Sequence, residues 1–139
     1  MATPQTMPLS GIMKLKRVFK TRHFARWVRK TELTDAALCK AVLEMSQGLV
    51  DADLGGGLVK KRVGMAGRGK RAGARTLLAT NKHSRWFFVF GFEKNERANI
   101  NADELEALRE LAEQLLIRSH EELEVGLADG ALKEICHEH

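Results

Sequence analysis

The chain has no tyrosine and only two cysteines among its 139 residues. Cysteines at positions 39 and 136 make no disulfide framework. No run approaches the roughly 18 apolar residues that a membrane span needs, so a membrane is not an expected partner. The first twelve residues lack the charged start and apolar centre of a secretory signal, and a cytoplasmic location is the expectation. Met7 and Met13 are alternative starts, which would leave residues 1–13 as a flexible tail. Carboxylates are missing from two long stretches, 14–30 and 55–75. The first could mimic a transit peptide, but its apolar spacing suits folded structure. The second, GGGLVKKRVGMAGRGKRAGAR, holds seven cations and seven glycines. Such a segment lets backbone and cations approach a polyanion closely.

What is present divides by charge. The length suits one domain that buries roughly two-thirds of its unfolded surface. The net charge of +5 conceals 20 Lys and Arg against 7 Asp and Glu in residues 1–97, and 3 against 11 in residues 98–139. A positive field of that strength favours nucleic acid as partner.

Residues 14–20 alternate imperfectly and suit a short strand at a sheet edge, where lysines discourage unwanted pairing. Phe24, Trp27 and Val28 fall at helical spacing, and after the cap at Thr34 a second helix runs through Ala37, Leu38, Ala41, Val42 and Met45. These aromatics are core rather than a base-stacking platform. Residues 58–63 predict a strand with Lys60 and Arg62 on one face, and Lys61 falls with Val59 and Val63 on the other. Gly55, Gly56 and Gly57 form a flexible turn before it, and residues 65–73 read as a basic loop. A further strand starts near Ala74, residues 81–84 turn the chain, and residues 86–92 are the buried central strand. Asn101 with Glu104 and Ser119 with Glu122 are capping boxes that start two helices. Residues 131–136 are extended along a neighbour that the sequence does not identify. The order β-α-α-β-β-β-α with an acidic C-terminal extension predicts an α+β domain with a small antiparallel sheet, helices packed on one face and the other face open to a ligand.

Several motifs carry no chemistry. Gly67-Arg68-Gly69-Lys70-Arg71 lacks the Ser or Thr and the preceding apolar strand of a nucleotide-binding loop. Cys136-His137-Glu138-His139 has no second ligand pair and reads as a solvated tail, so no metal is expected. His23, His83 and His120 are scattered surface or capping residues. Residues 93–97, where an apolar strand ends in alternating charges, gain meaning only beside the basic strands.

Taken in order, residues 55–78, then RWFFVFGFEKNERANI (85–100), then DELEALRELAEQLL (103–116) resemble the RelE/ParE superfamily of toxins, and within it the HigB-type branch. The resemblance covers about residues 14–117, leaving 118–139 as an acidic extension. It implies a RelE-like fold and the toxin of a type II toxin-antitoxin pair, a ribosome-dependent mRNA endoribonuclease that inhibits translation and is silenced by a cognate antitoxin. Its partners would be that antitoxin, the ribosome and mRNA, with no cofactor. The matching groove residues are Lys60, Arg62, Arg75 and Lys94 as catalytic groups, with Lys61, Arg68, Lys70, Arg71 and Arg97 binding nucleic acid. Arg75 is the expected phosphate clamp, because a guanidinium forks onto two oxygens. Some relatives place a tyrosine in this groove; this chain has none, so proton transfer falls to a Lys or His, or rates rest on positioning and charge. The alternative is a member of the fold that binds without cutting, including a ParE-like gyrase inhibitor. Residues 118–139 would fold over the groove, contact the antitoxin or solvate the domain.

Overall fold

The structure, a computed structural model, describes residues 16–65 and 69–137. Six strands, β1 (Arg17–Thr21), β2 (Ala52–Gly55), β3 (Leu58–Met65), β4 (Gly69–Thr80), β5 (Arg85–Glu93) and β6 (Leu132–Ile135), form one sheet in the order β2-β3-β4-β5-β1-β6. The helices are α1 (Arg22–Val28), α2 (Asp35–Ser46), α3 (Ala102–Leu116) and α4 (His120–Asp129). Among the described residues, no helix is long and apolar enough to cross a membrane.

The fold is α+β, as expected, but its layering differs from the expectation. The sheet is mixed, because β1 pairs in parallel with β5 while the other neighbours are antiparallel. Helices cover both faces instead of one. Leu78 and Phe88 pack with Phe24 of α1 and Val42 of α2. Leu77, Ala79 and Phe87, one residue out of phase, pack with Leu108, Ala112 and Leu115 of α3 and Leu123 of α4. Strands that are apolar on both faces need cover on both.

β1 is interior rather than an edge. The neighbour that residues 131–136 extend along is β1 itself: β6, from the acidic C-terminal segment, pairs beside it with Val18 opposite Ile135 and Thr21 opposite Leu132. Lys20 is consequently buried, with its ammonium 2.9 Å from Asp35 Oδ1. Both predicted capping boxes are made, at Asn101 with Glu104 and at Ser119 with Glu122.

Two local features shape the sheet's end. Leu77 lies opposite Phe90 while Leu78 lies opposite Phe88, so Val89 is an extra residue that reverses the alternation of β5. Phe90 and Phe92 then join Phe87 on the α3 face. Gly91 faces α1, where an added Cβ would come within 2.3 Å of the Trp27 ring. The segment expected to be a loop is partly strand, since β4 begins at Gly69. Gly73 permits this: a Cβ there would lie 2.0 Å from the Val63 carbonyl oxygen, where the pairing with β3 slips. Gly55, Gly56 and Gly57 all have positive φ and make the tight β2–β3 turn. Arg109 of α3 braces it by donating from Nε to the Leu54 carbonyl at 2.7 Å.

Cys39 on α2 and Cys136, one residue past β6, form a disulfide with Cα atoms 5.5 Å apart, contrary to the reading of two unconnected cysteines. The β6–β1 pairing brings them together across 97 residues of sequence. Closing a loop of about 100 residues contributes up to roughly 4–5 kcal/mol in the chain-entropy account. Reduction with dithiothreitol should therefore lower the thermal midpoint by several degrees, and Cys39→Ser/Cys136→Ser should melt where the reduced wild type does. Identical melts with and without reductant would refute the bond's role.

Candidate nucleic-acid interface

The pairing of β3 with β4 decides where the charges sit. Arg62 lies directly opposite Arg75, and Arg75 directly opposite Phe92 on β5. One rung inward, Lys60, Leu77 and Phe90 make the next row. A third row, Leu58, Ala79 and Phe87, is buried beneath α3 and α4. All three rows are on the α3 face. The apolar stripe of α3 covers the buried positions, while Lys60 and Arg75 remain half-buried and Arg62 exposed.

Like charges directly opposite across a strand pair are destabilising unless something neutralises them. Arg62 is partly compensated by Asp51, whose carboxylate accepts its backbone amide at 2.6 Å and its Nε at 3.5 Å. Among the described residues, Arg75 has no carboxylate partner and donates from Nη1 to the Gly73 carbonyl at 3.3 Å. The rung thus presents two guanidiniums to one carboxylate, and the surplus positive charge can hold an anion.

The other expected residues divide. Lys94 is exposed in the turn just after β5, near the same end of the sheet. Arg97 lies with its guanidinium carbon 5.9 Å from the Phe92 ring centroid. Lys61 does not join them. It faces α2 and is buried, with Nζ 3.0 Å from Glu44 Oε1 and 2.8 Å from the Leu49 carbonyl. Arg68 falls outside the described residues, as do the side chains of Lys70 and Arg71. Glu96 accepts the Glu93 amide at 2.7 Å and closes the turn after β5. The acidic C-terminal segment does not cover this rung. β6 lies at the opposite edge of the sheet, where Glu124 and Glu134 pair with Arg17 at 3.2 and 2.8 Å.

Beyond the end of β1 at Thr21, a cleft of about 390 Å³ opens between β5 and α1. Phe92 and Arg97 line it together with His23, Arg26, Trp27 and Lys30. The His23 imidazole stacks on Phe90 with centroids 5.6 Å apart and planes 5° from parallel. Sequence reasoning set His23 aside and missed these α1 cations as part of the surface. The signal that pointed to them is the absence of carboxylates from residues 14–30.

Glu104, in the first turn of α3, is held below the usual carboxylate range. The first cause is the Arg97 guanidinium, which donates to its two oxygens at 2.8 and 2.5 Å, and the second is the Asn101 amide at 2.9 Å. Glu134 is lowered by Arg17 and Asp53 by Lys82. A carboxyl lowered on folding contributes stability that is complete above its unfolded value and is lost as pH falls through the folded one. Acid should therefore loosen the protein below about pH 4, not between pH 5 and 8. In Arg97→Met the Glu104 carboxyl, followed by NMR, should titrate at higher pH than in wild type; an unchanged midpoint would show that Arg97 does not hold it.

A model of the family described as the RelE toxin of the RelE/RelB toxin-antitoxin system matches residues 16–135, from the residue before β1 to the end of β6. A search of curated protein sequences returned no match. The match takes in all six strands and all four helices described above, so the chain belongs to the RelE toxin family, as the toxin of a toxin-antitoxin system with a cognate antitoxin as its partner.

Proposed function

We propose that this toxin is an mRNA endoribonuclease that cuts messages on the ribosome in the cytoplasm and uses the Arg62–Arg75 rung to hold the reacting phosphate. The observation that carries the reading is the cross-strand guanidinium pair, of which Arg62 alone has a carboxylate partner, Asp51, among the described residues. RNA supplies its own nucleophile. The 2′-oxygen forms a bond to phosphorus, the bond to the 5′-oxygen breaks, one proton leaves the hydroxyl and another must reach the departing oxygen. The pentacovalent phosphate carries added negative charge, and fixed cations aimed at it lower the barrier without reorganising.

Arg75, with no competing carboxylate among the described residues, forks onto two phosphate oxygens, while Lys60 and Arg62 add charge from β3. Lys94, exposed in the turn after β5, holds a neighbouring phosphate, with Arg97 beside it already paired with Glu104. In the absence of tyrosine, the stacked His23 imidazole is the proton-carrying group at the adjoining cleft.

The test is cell-free translation of a defined message with added toxin and mapped 5′ ends. Wild type should produce new ends at in-frame codons only when ribosomes are present. Arg75→Ala should reduce cleavage by about 10²–10³-fold. Its melting temperature should be nearly unchanged, because it removes a half-exposed cation outside the apolar core. An intact message with normal translation would favour a binder of the same fold that cuts nothing.

A further inference from the structure

We propose that α1 and β6 form a second phosphate-binding site, separate from the Arg62–Arg75 rung, that takes the phosphodiester backbone of RNA. The inference rests on the reading above that RNA is the ligand of the Arg75 groove. A cleft of about 360 Å³ lies between these elements, lined by Lys20, Arg22, Arg26, Arg29 and Lys133 and by no carboxylate. Arg22 and Arg26 of α1 and Arg29 at its C-cap, still in right-handed helical conformation, follow one another at i, i+4 and i+7 along one stripe.

The five cations divide into two kinds. Lys20 is held by Asp35, and Arg22 donates to the carbonyls of Asp129 and Gly130 at 3.0 and 3.2 Å, so these two brace the cleft walls. Arg26, Arg29 and Lys133 are exposed and, among the described residues, have neither an ion pair nor a hydrogen-bonding side-chain partner. Like charges at helical neighbour positions repel one another. Here α1 has no acidic residue in its sequence to relieve them.

Arg26 connects this cleft to the first one. It lines both, so the cations run from Lys133 and Arg29 through Arg26 to Lys30, with Glu96 the one carboxylate lining the first cleft and Arg97 beyond them paired with Glu104. A track of this kind follows the spaced phosphates of an RNA backbone and leads it towards the Arg75 groove. A flat anionic membrane would instead favour a plane of cations rimmed by inserted apolar side chains.

The probe is a fluorescein-labelled RNA hairpin, followed by anisotropy with the full chain across roughly 50–200 mM salt. The variant Arg26→Ala/Arg29→Ala/Lys133→Ala should bind about tenfold or more weakly at the lower salt concentrations, and its slope of log affinity against log salt should fall by about two to three, near 0.9 for each lost phosphate contact. Message ends mapped in cell-free translation should keep the wild-type positions and appear at higher toxin concentration. Unchanged affinity and slope would overturn the proposal. So would a variant that loses binding to phosphatidylserine vesicles but keeps it on the hairpin, which assigns the site to a membrane surface. If the triple variant fails a circular dichroism check of folding, Arg26→Gln/Arg29→Gln is measured in its place, with an expected slope loss of about 1.8 for two lost contacts. If wild type cuts no message yet the triple variant shows the predicted loss of salt slope, the nuclease reading falls and this site stands.

Discussion

The pairing of β3 with β4 is the constraint on which both the core and the groove depend. Val59 and Val63 must face α2 together with Ala74 and Leu78, while Leu58 must face α3 with Leu77 and Ala79. Because side chains alternate with a period of two, a slip of one residue would send every one of these to the wrong face. The same alternation leaves Arg62 and Arg75 no choice but to meet on the α3 face. Burial of the valines and leucines thus holds two cations together that would otherwise repel. The energy for the juxtaposition comes from the apolar rows, and the two guanidiniums sit one rung beyond the α3 cover.

Charge segregation along the chain becomes charge segregation in space. The acidic C-terminal third supplies Glu104 to hold Arg97, and Glu124 and Glu134 to hold Arg17. Helix α4 and strand β6 carry much of this acidity to the edge of the sheet opposite β2 and β3, with Leu123, Leu132 and Ile135 buried to anchor them. Among the described residues the Arg62–Arg75 rung is left with Asp51, and α1 has no carboxylate in its sequence. The surface of this family member therefore concentrates its positive charge rather than cancelling it.

Much of this was legible from local pattern. The period of two separated Lys60 and Arg62 from Lys61, and the structure buries Lys61 on the apolar face against Glu44, where the alternation had put it. The capping boxes at Asn101 and Ser119 marked helix starts because the groups that satisfy each other are three residues apart. What escaped was long-range. The β6 partner of β1, the disulfide between Cys39 and Cys136, and the parallel pairing of β1 with β5 join segments far apart in the chain. The cover on both faces was implicit in adjacent apolar residues such as Leu77 and Leu78, or Phe87 and Phe88, but a continuous apolar run does not say how many layers enclose it. The extra residue Val89 reversed the alternation of β5, and with it brought Phe90 beneath His23. No local pattern announced that imidazole.

The most direct test of the account is the structure of Arg75→Lys toxin on a programmed ribosome, with the message carrying a 2′-deoxy sugar at the cut site so that it cannot react. The account predicts the scissile phosphate over the rung formed by Arg62 and residue 75, with Lys60 beside it and the flanking backbone running past Arg97 towards α1. A message that leaves this rung empty, or a toxin seated with its α3 face away from RNA, would contradict it.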